Sequence, residues 1–204
     1  MSNASQKLKL KILDLRPAQM ALGFFDVDTK IRKLERFKKN ELEKYLDDRP
    51  VPVVRYSPTA HYVIDHHHLV RALWETGHEN ADCELVADLS HLEEAAFWKF
   101  MHDKRWTYLK DAFGNEHGQV HLPSSIRSMG DDLFRSVAFA AREAGGFEKT
   151  KIPFAEFYWG EYFRKEMGDA AYALEFEKLV KQALVLCHSE KVLGLPGAKQ
   201  AQRI

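Results

Sequence analysis

Cysteine is scarce in this chain: Cys83 and Cys187 are the only two among 204 residues. They stand far apart in the sequence and belong to no paired motif of the kind that binds zinc or exchanges disulfides. We therefore expect two free thiols in a reducing cytoplasm rather than a disulfide bond.

Long apolar runs and an excess of one charge are absent as well. No apolar run reaches the roughly 18 residues typical of a membrane span, and the first residues lack the basic and then apolar pattern of a secretory signal. Lys+Arg and Asp+Glu are 30 each, so the formal net charge is zero. General binding to nucleic-acid phosphates usually needs a basic surplus, so the net charge does not favour DNA as a partner.

The chain is long enough for one large domain, or for a compact domain with a helical extension. Its pattern changes near residue 104, from mixed strands and helices to helices alone. We therefore predict an α/β domain over residues 7–104, a helical subdomain over 105–190 and a tail over 191–204.

Apolar residues of the front half either alternate with polar ones or recur at helical spacing. These patterns predict strands over residues 7–15, 51–56, 61–65 and 83–89, and helices over residues 24–46, 67–76 and 90–101. The second and third strands, joined by a Ser-Pro turn, predict a β-hairpin. The long segment 24–46 is interpreted as one or two amphipathic helices, and Ser90 with Glu93 predicts a capping box for the last helix.

The back half predicts three helices, over residues 131–144, 154–167 and 169–188. The second of them is rich in aromatic residues, and such a run belongs to a helical core more often than to a base-stacking platform. Arg135 and Arg164 are candidates for internal pairing with acidic residues. His117 and His121 flank a loop in which the sequence indicates no partner for them.

The sharpest feature is the turn Asp65-His66-His67-His68, which joins a predicted strand to a predicted helix. The N-terminus of a helix points backbone N–H groups outward and has roughly half a positive charge, so it attracts phosphate or carboxylate groups. The histidines add directional donors, and Arg71 lies about one turn into the helix. The pattern therefore predicts a phosphate site, in which Asp65 either caps the helix or holds a magnesium ion.

Simpler interpretations of this turn stay open. Asp65 as an N-cap would need no ligand, and a histidine triplet is often only a polar surface loop. Zinc is a further alternative because histidine is a common zinc ligand. Adjacent histidines point in different directions, however, and no second histidine pair has a suggestive spacing.

The same residues resemble a known superfamily. Tyr62-Val63-Ile64-Asp65 is similar to its signature strand, His67-His68 matches the two central positions of the turn, and Ala72 matches a small residue of the following helix. Leu15-Arg16-Pro17-Ala18-Gln19 resembles the stretch that enters the first helix. Over roughly residues 10–89 the chain thus resembles the ParB/sulfiredoxin superfamily, in particular its ParB-like nuclease branch.

The resemblance implies a small α/β (mixed α+β) fold with a mixed sheet, in which the turn binds the phosphates of a nucleotide. In this superfamily the site binds CTP in chromosome partition proteins, transfers phosphoryl groups in sulfiredoxins and free-serine kinases, and serves reported nucleases. We therefore expect a nucleotide or phosphate ligand, with phosphodiester hydrolysis or phosphoryl transfer as candidate reactions. The fold restricts the class of ligand more closely than it restricts the class of reaction. Whether the protein is an enzyme therefore stays open.

Particular residues follow from this resemblance. Catalytic candidates are Asp65, His67 and His68, and Asp65 is also the candidate ligand for Mg²⁺. The candidates for phosphate binding, from the turn, its helix and the end of the first strand, are His66, His67, His68, Arg71, Arg16 and Gln19.

Two departures from the family pattern bear on these expectations. His66 stands where the family usually has glycine; if that position needs a positive φ, histidine is tolerated there better than most residues but at some strain. Leu69 stands where many members have arginine, which weakens the case for a full triphosphate site. His66 and Leu69 favour a non-catalytic, ligand-dependent scaffold as an alternative. A DNA-binding, partition-type module, with the helical half as reader, is a separate alternative, and a homo-oligomer is open as well.

Overall fold

The computed structural model describes residues 6–199. Contacts divide this part of the chain into two compact units. The first comprises the described residues up to Leu22 together with Val27–Asp111 and Glu116–Gly130, and the second comprises Gly23–Asp26, Ala112–Asn115 and the described residues from Asp131 onward. The predicted domain bounds stay a prediction. Residues 200–204 of the predicted tail lie outside the described residues.

The first unit is built on a mixed β-sheet. The strands are β1 (Gln6–Lys11), β2 (Leu15–Pro17), β3 (Ala21–Leu22), β4 (Val51–Ser57), β5 (Ala60–Val63), β6 (Asn80–Asp88) and β7 (Gly130–Asp131). Five of them stand in the order β1-β6-β4-β5-β2, while β3 and β7 form a separate two-stranded sheet. The pairs β1–β6 and β4–β5 are antiparallel, and the pairs β4–β6 and β5–β2 are parallel.

The helices occur in both units. They are α1 (Phe24–Arg36), α2 (Lys39–Asp47), α3 (His67–Glu75), α4 (Glu94–Asp103), α5 (Leu133–Glu143), α6 (Ala155–Met167) and α7 (Phe176–Leu186). Short 3₁₀ helices span Ile12–Asp14, Gln119–His121, Ile126–Ser128, Asp169–Ala173 and Glu190–Val192. Over residues 6–199, no helix is long and apolar enough to cross a membrane.

The mixed α/β class is confirmed, and so are several of its elements. The predicted hairpin forms from β4 and β5, with Val53 opposite Val63 and both side chains fully buried. The long amphipathic segment forms two helices, α1 and α2. Strand residues that are β-branched and apolar fit a sheet covered on its faces, which explains why the local pattern was sufficient here.

Three predictions of local structure are wrong. The strand over 7–15 is interrupted, because Ile12–Asp14 forms a 3₁₀ turn and β1 and β2 stand at opposite edges of the sheet order. The capping box fails because the hydroxyl of Ser90 donates to Asp88 Oδ1, at 2.6 Å, and α4 begins only after Glu93. The last predicted helix is divided because Leu174 has an extended backbone, with φ −98° and ψ 150°.

The second unit packs α5, α6 and α7 around one apolar core. Trp159 of α6 is fully buried and stacks on Phe147, with ring centroids 4.2 Å apart and planes within 10°. Its indole Nε1 donates to the carbonyl of Pro196 at 2.8 Å. The aromatic run is therefore core, as predicted.

The expected pairing of Arg164 is also confirmed. Its Nη2 donates to both carboxylate oxygens of Asp132 at 2.8 Å, and Nη1 pairs with Glu161. Asp132 Oδ1 also caps α5 by accepting from the backbone N–H of Phe134 at 3.0 Å and of Arg135 at 3.2 Å. Burial raises the pKa of Asp132, and the charge of Arg164 opposes that shift.

Replacing the core tryptophan tests the packing of the second unit. Trp159→Ala should lower the free energy of unfolding by about 3–5 kcal/mol, because it removes a fully buried ring and its hydrogen bond. The neighbouring Tyr158, 41% exposed, is the matched control, and Tyr158→Ala should lower it by less than about 1 kcal/mol. Chemical denaturation measures both, and equal losses would contradict this description of the core.

Candidate functional site

The predicted turn connects β5 directly to α3. β5 ends at Val63, α3 begins at His67, and His66 is the N-cap residue. The backbone of His66 has φ 63° and ψ 19°, in the left-handed region, where a residue other than glycine is strained. The backbone N–H of Val70 donates to the His66 carbonyl at 3.0 Å and closes the first helical turn.

The interpretation of Asp65 as the N-cap is therefore wrong, because His66 has that position. Asp65 is exposed, and its Oδ1 accepts a hydrogen bond from the backbone N–H of His66 at 2.6 Å. Within the described part of the chain, the His66 side chain makes no capping hydrogen bond. A left-handed residue followed by right-handed ones turns successive N–H groups toward one side, which is the backbone geometry of anion-binding concavities.

His67 is buried against the end of β2. Its side chain is 2% exposed, and Nε2 accepts a hydrogen bond from the backbone N–H of Ala18 at 3.3 Å. An accepting Nε2 assigns the ring proton to Nδ1, the neutral tautomer. His67 therefore fixes α3 to β2, and its predicted contacts with phosphate stay a prediction.

The peptide groups of Ala18 connect four segments of the first unit. Besides His67, the Ala18 N–H contacts the carbonyl of Val63 at 3.2 Å. The Ala18 carbonyl accepts from the hydroxyl of Thr107 and from the backbone N–H of Tyr108, each at 3.0 Å. The end of β2 is thus held between β5, the start of α3 and the segment after α4.

The two candidates from β2 differ in exposure. Arg16 is exposed, and its guanidinium carbon lies 5.9 Å from the centroid of the Tyr62 ring. Gln19 is only 6% exposed, and its Oε1 has no hydrogen-bond partner among residues 6–199. The buried Nδ1 of His66 is likewise unpartnered in that part of the chain. A buried polar atom without a partner typically costs about 1–3 kcal/mol, so both atoms are suitable positions for a ligand or a water molecule.

Arg71 is engaged by protein groups. Its Nε pairs with Glu75 at 2.8 Å, and Nη1 donates to the carbonyls of Ile126, Arg127 and Met129 at 3.1 to 3.3 Å. The side chain is only 11% exposed. These contacts hold the segment 126–129 against α3, and phosphate binding by Arg71 stays a prediction.

The other two residues at the start of α3 differ in solvent exposure. His68 is half-buried, whereas Leu69 is 2% exposed and belongs to the core. Leu69, which stands where many family members have arginine, is thus an apolar packing residue in this protein. Among residues 6–199, no three His, Cys, Asp or Glu side chains are grouped so that they hold a metal ion. Asp65 is accordingly a single carboxylate at this turn.

Sequence reasoning missed a histidine–carboxylate pair. His117 Nε2 lies 2.8 Å from Asp111 Oδ2, so the expectation that His117 has no partner is wrong. The two side chains meet because Lys110 and Glu116 form an antiparallel bridge and the His117 N–H donates to the Leu109 carbonyl at 3.0 Å. The Gly-Asn dipeptide between them was the available sequence signal, since it favours a tight turn.

A second missed group links three adjacent strands. Arg55 on β4 donates from Nη1 to Asp88 on β6 at 2.6 Å and from Nε to His61 Nε2 on β5 at 3.3 Å. Burial lowers the pKa of His61, and the positive charge of Arg55 lowers it further. Hydrogen bonds from Ser90, assisted by Arg55, hold the pKa of Asp88 at about 2.

Comparison with known proteins agrees with this fold. The family described as "Putative ParB-like nuclease" matches residues 8–165, and the chain belongs to this family. The crystal structure of protein Atu1540 from Agrobacterium tumefaciens is similar, with a TM-score of 0.87 and 34% sequence identity, over 96% of this chain and 98% of that chain. No curated protein matches the chain. The family match extends well beyond residue 89, so the resemblance inferred from short motifs covered too little of the chain.

The left-handed N-cap generates a stability prediction. His66→Gly should raise the free energy of unfolding by about 0.5–1 kcal/mol, because glycine adopts φ 63° without the steric conflict of a Cβ. The matched control is His68→Gly, inside the first turn of α3, which should lower it by about 1 kcal/mol. Thermal and chemical denaturation of both variants measure the difference, and destabilisation by His66→Gly would refute the strain at this position.

The lowered pKa of His61 predicts a dependence of stability on pH. Because the folded protein disfavours the charged ring, the unfolded chain binds the proton more readily. This contribution to stability is complete above the unfolded pKa of about 6.5 and is lost as the pH falls below it toward the folded pKa. His61→Gln, which keeps an acceptor for Arg55, should therefore flatten the profile between about pH 5 and 7. Parallel profiles for the two proteins would contradict the prediction.

Proposed function

We propose that this ParB-like protein binds the phosphate groups of a nucleotide at the start of α3. The observation that carries the proposal is the left-handed His66 N-cap placed directly between β5 and α3. This backbone presents the amides of the first turn in a concave arrangement suited to phosphate oxygens. Membership of the ParB-like nuclease family supports the same ligand class.

Electrostatics at this turn also support an anion. The first turn of α3 contains no acidic residue, so the positive end of the helix dipole is uncompensated from within the helix. His68 adds a half-buried ring on that turn, and Arg16 adds an exposed positive charge on the neighbouring strand. In the proposed site, backbone amides and His68 bind the inner phosphate, and Arg16 attracts an outer one.

In this proposal the sugar and base of the nucleotide lie beside the turn. Gln19 follows Ala18, whose N–H binds His67 at the start of α3. The unpartnered Oε1 of Gln19 accepts a hydroxyl or amino group of the sugar or base. His67 and Arg71 position the site in this proposal: His67 holds α3 to β2, and Arg71 holds the segment 126–129.

The proposed reaction is phosphodiester hydrolysis or phosphoryl transfer. Asp65 offers an exposed carboxylate whose Oδ1 accepts from the His66 N–H, and in the proposed site its second oxygen binds a divalent cation. Mg²⁺ is commonly held by one or two carboxylates together with substrate phosphates, so a single aspartate fits an ion that arrives with a nucleotide. Bound there, the ion would neutralise charge that develops on the phosphate oxygens.

A thermal-unfolding panel tests the proposal. The ligands are ADP, ATP, CTP, GTP, phosphate and pyrophosphate, each with and without magnesium. A ligand at 100 times its dissociation constant should stabilise the fold by about 2.7 kcal/mol, which raises the Tm by several degrees. At least one nucleotide should do so, and a flat panel would overturn the proposed function.

A charge substitution locates the site. His68→Asp should weaken nucleotide binding at least about tenfold, because a carboxylate in the first turn repels phosphate while it favours the helix dipole. His68→Asn is the matched control, of nearly the same shape but neutral, and it should retain most of the ligand-induced Tm shift. Equal ligand-induced shifts for the two variants would place the site elsewhere.

A further inference from the structure

Three neighbouring chain segments leave the sheet of the first unit in the same direction. β5 and β2 are parallel, with Arg16 opposite Tyr62 and Pro17 opposite Val63. Beyond β2, Gln19 forms a parallel bridge with Tyr108, and the Tyr108 N–H donates to the Ala18 carbonyl. The segment around Tyr108 therefore extends the sheet beyond β2 and runs parallel to it.

The carboxyl ends of parallel neighbours meet at one edge of a sheet, where ligands of open α/β sheets typically bind. At this edge β5 leads to Asp65 and the start of α3, and β2 leads to Gln19. The third segment leads to Asp111, three residues after Tyr108. Adjacent strands are about 4.8 Å apart. Because β2 lies between them, the segment around Tyr108 is roughly 10 Å from β5. That separation is within the width of an ordinary small-molecule site.

A backbone hydrogen bond and a β-bridge hold the pair Asp111–His117 at the end of the third segment. Leu109, 7% exposed, anchors the segment in the core and accepts the backbone N–H of His117. The bridge between Lys110 and Glu116 fixes the two sides of the turn. The side chains of His117 and Asp111 remain 33% and 24% exposed, so solvent reaches the pair.

The hydrogen bond of this pair defines the tautomer of His117. A carboxylate only accepts, so Nε2 has the proton and donates it to Asp111 Oδ2. In the tautomer with its single proton on Nε2, the lone pair of the ring is on Nδ1. A histidine oriented through one nitrogen by a carboxylate, with the other nitrogen available, is the arrangement of a general base.

We propose that His117 is the general base of the phosphoester reaction at the start of α3, and that Asp111 is its positioning residue. This inference rests on the proposed function. His117 Nδ1 takes a proton from a water molecule while the water oxygen forms a new P–O bond. The P–O bond to the leaving group breaks, its electron pair stays on the departing oxygen, and that oxygen takes a proton from solvent.

The test separates binding from turnover in the full chain. Turnover is measured as hydrolysis of bis(p-nitrophenyl) phosphate and as phosphate release from ATP, CTP and GTP with magnesium. His117→Ala should lower kcat at least about 100-fold, the usual contribution of a general base, and should leave the nucleotide-induced Tm shift unchanged. His121→Ala is the matched control from the same loop, an exposed histidine whose ring centroid is 5.7 Å from that of His117. It should retain wild-type kcat.

Variants of the carboxylate test the positioning role. Asp111→Asn should lower kcat at least about tenfold without raising KM, because asparagine no longer holds the ring in the productive tautomer. Asp111→Glu should restore most of the activity, and added imidazole should partly rescue His117→Ala. A structural role alone would instead lower the Tm of both Asp111 variants and give no rescue by imidazole.

The outcomes distinguish the two proposals. Absence of a Tm shift with every nucleotide would overturn the proposed function itself. A wild-type protein that binds nucleotide but hydrolyses none of these substrates would overturn the role of His117 while nucleotide binding stands. Wild-type kcat in His117→Ala would do the same.

Discussion

The backbone of Ala18 is the constraint on which the candidate site depends. Ala18 is fully buried, and its N–H and carbonyl bind groups from three other segments: Val63, His67, and Thr107 with Tyr108. Buried backbone groups must be paired, so these bonds fix the spacing of β5, α3 and the segment after α4. These backbone hydrogen bonds therefore define the edge of the sheet, and they determine where the side chains at that edge lie.

The histidine triplet shows how one short segment serves three physical purposes. Successive helical residues point about 100° apart, so adjacent histidines do not act as one cluster. His66 provides the left-handed backbone, His67 is a buried acceptor for the Ala18 N–H, and His68 is half-buried on the first turn of α3. In the proposed site, backbone amides and His68 bind the ligand, while His67 holds α3 to β2. This division also disfavours zinc ligation by the triplet, because the His67 Nε2 is already paired.

Local pattern was sufficient for much of the fold. Alternating or helical spacing predicted the hairpin, α1, α2 and α3, and the family resemblance identified His66 as a position that usually has glycine. The contacts that could not be predicted join residues distant in the sequence. Arg71 binds carbonyls more than 50 residues away, and Tyr108 pairs with Gln19, so neither contact leaves a periodic signal. The Asp111–His117 pair lies in a loop without helical or strand periodicity, where only the Gly-Asn dipeptide indicated a turn.

An amide-resolved NMR titration with pyrophosphate and with magnesium nucleotides tests whether phosphate binds at the start of α3. If phosphate binds at the start of α3, the backbone amides of residues 66–69 should shift together and saturate at one concentration, because phosphate oxygens would accept hydrogen bonds from that turn. The amides of α7, in the second unit, should stay in place. Saturable shifts confined to other segments, with residues 66–69 unchanged, would contradict the claim and show that the ligand binds elsewhere.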